Sequence, residues 1–200
     1  MNTMLSRRSA LLASLGLATW LTGCLDSKPQ FKSIDLTGAD YARDFQLADH
    51  KGQQRTLADF KGQVVVVFFG FTQCPDVCPT AMARLAEVRR TLGTDGQRVQ
   101  GLFVSLDPER DTPEVLQAYM ANFDPSFLAL RPTLEQLPEV AKHFKIYYRK
   151  NEGKTAGSYT LDHGAGSYVF DPQGRVRLYV KQDMPAADLA QDLKLLLQGR

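Results

Sequence analysis

Two cysteines separated by three residues carry the strongest chemical signal in this 200-residue chain. They stand in Phe69-Gly70-Phe71-Thr72-Gln73-Cys74-Pro75-Asp76-Val77-Cys78-Pro79, after an apolar run and before a helical pattern. Thiols so placed can form a redox couple or bind a metal as thiolates. A helix N-terminus offers free N–H groups and partial positive charge, which favour thiolate over thiol. Three intervening residues, against two in the thioredoxin-type redox motif, leave room for two sulfurs around one ion. A disulfide between them stays feasible and is expected to be easier to reduce than a structural one. Zinc and iron–sulfur clusters usually take four protein ligands, and the chain has only one further cysteine, Cys24. Cu(I) accepts two thiolates and one nitrogen, so the question passes to the histidines.

There are three. His50 falls in the turn-rich Asp49-His50-Lys51-Gly52 and reads as a solvated turn residue. His143 closes a helical pattern, where a cation is favourable without any metal. His163, in Tyr159-Thr160-Leu161-Asp162-His163-Gly164, lies on a loop leading into the strand at Ser167. In a thioredoxin-like fold that loop faces the redox motif. Reductases of this fold usually carry a cis-proline there; Leu161 to Gly166 contains no proline and offers an imidazole instead.

The surrounding pattern must position these groups. Asp44–Leu47 and Gln54–Leu57 flank the turn at 49–52 and predict a hairpin. Val64-Val65-Val66-Val67-Phe68-Phe69 is the continuous apolar run of a strand buried on both faces. A helix is expected from Cys78 to Leu92, with Met82, Leu85 and Val88 inward and Gly93 past its end. Val99–Leu106 reads as a second central strand. Thr112-Pro113 opens a helix to about Asn122, Thr as N-cap and Pro at the first helical position. Further helices are expected over 134–144 and 186–197, with a hairpin of 167–170 and 176–180 between them. The order predicts an α/β fold: a thioredoxin-like mixed central sheet flanked by helices, with an N-terminal β-hairpin and an inserted helix.

The start of the chain is of another kind. Arg7 and Arg8 precede an apolar run from Ala10 to Trp20, and Leu21-Thr22-Gly23-Cys24 follows. This is the layout of an export signal, and the run is short for a permanent membrane span. Leu-Thr-Gly-Cys resembles the lipobox of bacterial lipoproteins, which implies cleavage before Cys24 and lipid on its sulfur. Residues 1–23 are thus read as a lipoprotein signal peptide, 24–40 as a lipidated tether, and 41–200 as the folded domain. Cleavage removes two of the 24 basic residues and none of the 22 acidic ones, leaving 22 of each. That balance argues against nucleic acid as a partner. It also leaves Cys74 and Cys78 alone, in a loop too short for a disulfide to stabilise much.

Cys74-Pro75-Asp76-Val77-Cys78-Pro79, Asp107-Pro108-Glu109-Arg110-Asp111-Thr112-Pro113 and Asp162-His163 resemble, in order, the three signature segments of the Sco/SenC family. Its members are thioredoxin-fold, membrane-tethered copper proteins associated with assembly of the dinuclear copper A centre in cytochrome c oxidase subunit II. The resemblance implies copper, as Cu(I) or Cu(II), on Cys74, Cys78 and His163. It implies subunit II or a similar copper protein as recipient, a copper donor, and a lipid-anchored place in the bacterial envelope facing the periplasm. Asp107 is expected to contact a partner, tune the site from behind, or shape its turn. Asp162 is expected to orient a backbone amide or the His163 ring, and Asp111 and Thr112 to start a helix. The alternative to a metallochaperone is a thiol–disulfide oxidoreductase that reduces the recipient's cysteines through Cys74 and Cys78.

Overall fold

The computed structural model describes residues 30–155 and 157–200. The signal-like segment and Cys24 lie outside the described residues. In chain order the strands and helices are β1 (Ile34–Asp35), β2 (Leu47–Asp49), β3 (Gln54–Arg55), β4 (Val64–Gly70), α1 (Val77–Thr91), β5 (Val99–Ser105), α2 (Pro113–Met120), β6 (Leu128–Arg131), α3 (Gln136–His143), β7 (Tyr148–Glu152), β8 (Tyr159–His163), β9 (Ser167–Phe170), β10 (Val176–Val180) and α4 (Ala186–Leu197).

The apolar run at 64–69 becomes the middle of an eight-stranded sheet ordered β1-β10-β9-β4-β5-β6-β2-β3. β4 pairs in parallel with β5, Val64 opposite Val99 and Gly70 opposite Ser105, and antiparallel with β9. A parallel pair needs a crossover, which α1 supplies. Every residue of β4 and β5 is buried, as a strand covered on both faces requires. Consecutive phenylalanines show the two faces: Phe68 meets Phe103 and His163, and Phe69 meets Phe144 just after α3. This is the thioredoxin-like mixed sheet that the element order predicts, with the β2–β3 hairpin added at one edge through β6.

Met82 and Val88 are fully buried on α1 and Leu85 nearly so. Gly93 follows with φ +56°, the left-handed geometry that ends a helix at low cost in glycine. Thr112 caps α2 by accepting the Val115 N–H, and Pro113 opens it.

Three features go beyond the sequence pattern. Ile34 pairs with Tyr179, and the buried carboxylate of Asp192 on α4 accepts the N–H groups of Lys32 and Ser33, so the chain joins the sheet within the stretch read as a tether. β6 extends the parallel sheet beyond β5. β7 and β8 form a separate two-stranded sheet, so His163 ends a strand rather than sitting on a loop. No helix among the described residues is long and apolar enough to cross a membrane.

Candidate metal centre

β4 delivers the cysteine segment at its carboxyl end, where open α/β sheets place their ligands. The Cys74 N–H donates to the Phe71 carbonyl at 3.1 Å, closing a tight turn, and Asp76 precedes the first residue of α1. Cys78 thus sits in the first helical turn with no exposure, while Cys74 keeps 9%. Both are free thiols. β8 brings His163 from the other side, its Nε2 at 3.5 Å from Cys78 Sγ, and the two sulfurs and this ring offer donor atoms that all lie within 4.8 Å of one another. Three donors at metal–ligand lengths of about 2.0–2.3 Å in a trigonal plane would stand about 3.7–4.0 Å apart. The Cys78–His163 pair, at 3.5 Å, is near that spacing and the widest pair would have to close by up to about 0.8 Å, and two sulfurs with one imidazole nitrogen suit a soft ion such as Cu(I).

The ring's orientation is fixed locally. Nδ1 lies 2.9 Å from the Gly164 carbonyl, which can only accept, so Nδ1 carries the proton and the Nε2 lone pair faces the sulfurs. Phe68 and Phe71 press edge-on against the ring, with centroids 6.2 and 5.8 Å away. Asp162 is exposed opposite Arg149, so the ring is held by the Gly164 carbonyl instead. Beneath the sulfurs, Gly70 makes the space: a Cβ there would lie 2.6 Å from Cys78 Sγ.

One sequence expectation is overturned at Cys78. The helix N-terminus favours thiolate, yet burial pushes this thiol well above its ordinary range, and the Phe71 backbone hydrogen bond only partly offsets it. Desolvation outweighs the partial charge of a helix end. A metal ion that takes this sulfur must therefore displace its proton.

Behind the centre stands a carboxylate expected only to start a helix. Asp111 is fully buried and accepts from the Thr72 hydroxyl at 2.6 Å, the Thr72 N–H and the Ser105 hydroxyl at 2.6 Å. It straps the cysteine turn to the end of β5. Burial raises its carboxyl above the usual range, against those hydrogen bonds, which lower it. Asp107, 4% exposed, shapes its turn by accepting the Arg110 and Asp111 N–H groups on its carbonyl. Its carboxylate also takes the Arg110 guanidinium and the Tyr159 hydroxyl, so it faces inward. Asp111 and Arg110 stood in the second signature-like segment and Tyr159 just before the third, but nothing in their spacing pointed to these contacts.

The other histidines lie elsewhere. His50 is not the solvated residue expected: it is 8% exposed and its Nδ1 accepts the Ala129 N–H at 3.1 Å. Burial pushes its basicity down, and the lone pair it spends on the backbone is what pays for its place inside. His143 ends α3 as expected, and its Nε2 accepts the Arg43 N–H at 2.9 Å.

The SCO1/SenC family model matches residues 35–198. The chain belongs to the SCO1/SenC family. It is 35% identical over 153 residues to the mitochondrial SCO2 homologue of Bos taurus, covering 76% of this chain and 58% of that protein. The chain therefore spans well under two-thirds of that relative's length. Among solved structures, the copper-bound ScoI of Bradyrhizobium japonicum is 37% identical with a TM-score of 0.70, covering 76% of this chain and 97% of that one. A SCO1/SenC family lipoprotein from Bacillus anthracis is 27% identical with a TM-score of 0.66, covering 79% and 98%.

Proposed function

We propose that this SCO1/SenC protein is a membrane-tethered copper metallochaperone that helps assemble the dinuclear copper A centre of cytochrome c oxidase subunit II. The observation that carries the reading is the gathering of Cys74, Cys78 and His163 donor atoms within 4.8 Å at the end of β4. The copper-bound relative from Bradyrhizobium japonicum supports copper as the ion. The two thiolates hold the ion and supply negative charge, and His163 closes the third position with a neutral nitrogen. Copper is cargo here, and it leaves by exchange of these donors for a recipient's cysteines and histidines. The lipobox at Cys24, and a lipoprotein among the similar structures, support a lipid anchor that keeps the domain at the periplasmic face of a membrane.

Anaerobic titration with Cu(I) should saturate at one equivalent, and the Cys74→Ser/Cys78→Ser protein should bind none tightly. Normal affinity in that double variant would overturn the reading. A second reading rests on both cysteines being free thiols with sulfurs within 4.8 Å of each other. They could reduce a disulfide in the recipient, its two sulfurs gaining two electrons and two protons while Cys74 and Cys78 form an S–S bond. His163 takes no part in that step. A His163→Ala strain that assembles the oxidase normally would favour the thiol reading; one that fails, with Cys74 and Cys78 still able to cycle, would favour copper.

A further inference from the structure

The two sulfurs and the imidazole belong to different parts of the molecule. Cys74 and Cys78 follow the central strand of the main sheet, whereas His163 ends a hairpin, β7–β8, that forms its own sheet. Something must hold that hairpin over the cysteines. Leu161 on β8 is buried in the core, and one guanidinium bridges the two parts directly. Arg110 Nη1 donates to Gln73 Oε1 at 3.0 Å, next to Cys74, and to the Tyr159 carbonyl at 2.9 Å, on the strand that carries His163. Its Nε pairs with the Asp107 carboxylate, and its plane stacks on the Tyr159 ring at 3.6 Å. Tyr159 returns a hydrogen bond of 2.7 Å from its hydroxyl to the same carboxylate. Lys150 Nζ also lies over that ring, 3.8 Å from its centroid, and reaches Glu109 at 3.3 Å. Tyr159, Leu161 and His163 alternate onto one face of β8, so fixing Tyr159 fixes the side on which His163 stands.

We infer that Arg110, with Asp107 and Tyr159, forms a clamp that sets whether His163 stands over the cysteine pair, acting on the third donor and leaving the two sulfurs alone. These are positioning residues. The inference rests on the copper reading for its consequence, and on the geometry of the metal-free protein for its substance. A lysine cannot replace the arginine, because a single ammonium cannot span Asp107, Gln73 and the Tyr159 carbonyl while stacking on a ring.

Two measurements on the full domain test it. In the metal-free protein, Arg110→Ala should speed hydrogen exchange at the amides of 148–152 and 159–163 and leave those of β4 and α1 unchanged. In anaerobic Cu(I) competition, Arg110→Ala and Arg110→Lys should each weaken binding about tenfold, the low end for groups that orient a ligand. In a His163→Ala background the same changes should weaken it no further, since the donor they position is gone. Tyr159→Phe, which keeps the ring stack and loses the hydroxyl bond, should give about a threefold loss and serves if the arginine variants fold poorly. Equal losses with and without His163, full rescue by Lys, or unchanged exchange in the hairpin would each overturn the clamp. Should the wild-type protein take up no copper, the copper reading falls while the exchange measurement still decides whether Arg110 holds the hairpin.

Discussion

Replacing Gly70 by alanine should empty the centre without touching a ligand. The added Cβ would stand 2.6 Å from Cys78 Sγ, 2.9 Å from a Phe68 ring carbon and 3.1 Å from a Phe103 ring carbon. Non-bonded heavy atoms settle at about 3.5–4.0 Å, so the sulfur must retreat by about 1 Å or the strand must shift. Phe68, Phe103 and Cys78 are all at most 1% exposed, and none has open space to move into. A metal–sulfur bond tolerates only about 0.2 Å, so a sulfur displaced by about 1 Å no longer reaches an ion held by Cys74 and His163. Cu(I) affinity should fall about 100-fold or more, and the fold should lose about 1–3 kcal/mol from overpacking. Gly70 does not have positive φ, so the loss comes from crowding and not from backbone strain. The assays are anaerobic Cu(I) competition against a chromophoric chelator and thermal melting of the metal-free protein. Adding Cys78→Ser should bring little further loss, since both changes remove the same donor. A folded Gly70→Ala protein with copper affinity within threefold of wild type would refute the placement of Cys78 as a ligand beneath this glycine.

Other consequences follow from buried ionisable groups. Burial raises the Cys78 thiol above its unfolded value of 9.0, so its contribution to stability is whole below about pH 9 and is lost above it. Denaturant unfolding of the metal-free protein from pH 8 upward should show stability falling by up to about 1.4 kcal/mol per pH unit above that point, and Cys78→Ser should remove this part of the slope. Because an ion that binds Cys78 must release that proton, apparent Cu(I) affinity should rise at least about tenfold per unit between pH 6 and 8, as read by competition titration. Asp111→Ala leaves the Thr72 hydroxyl and N–H and the Ser105 hydroxyl without their acceptor, and should cost about 3 kcal/mol in chemical denaturation. Asp111→Asn, which keeps an acceptor oxygen, should cost clearly less.

The parts of this protein that were legible in its sequence are those where one local pattern decides. Val64–Phe69 could only be a strand covered on both faces, and the Cys74–Cys78 spacing before a helix announces its chemistry directly. What stayed hidden depends on partners distant in the chain. His50 looks like a turn residue until Ala129, 79 residues on, offers it an N–H. Asp111 looks like the start of a helix until Thr72 comes to meet it from 39 residues before. The β7 strand, Tyr-Arg-Lys-Asn-Glu, is mostly polar and exposed, and on β8 only Leu161 is buried in the core, so the apolar pattern marks this hairpin weakly. Its place is set by Arg110 and Tyr159, whose contact no period in the sequence encodes. The Cys78 thiol was misjudged for a different reason: a helix terminus can be read from sequence, and the depth of burial that overrides it cannot.

The three donors are also unequal in depth, and that bears on who can reach them together. Cys78 is sealed below by Gly70, Phe68 and Phe103, while Cys74 keeps some exposure and His163 is half-buried. A partner can touch the donors only where Cys74 and His163 are exposed, and that side serves as the doorway of the centre. A protein that fills it and a protein that empties it would have to use the same entrance, and so could not be docked at once. Loading and delivery would then alternate like the half-reactions of a ping-pong scheme. An excess of copper-free donor should slow delivery by occupying the doorway, even though it brings no ion of its own.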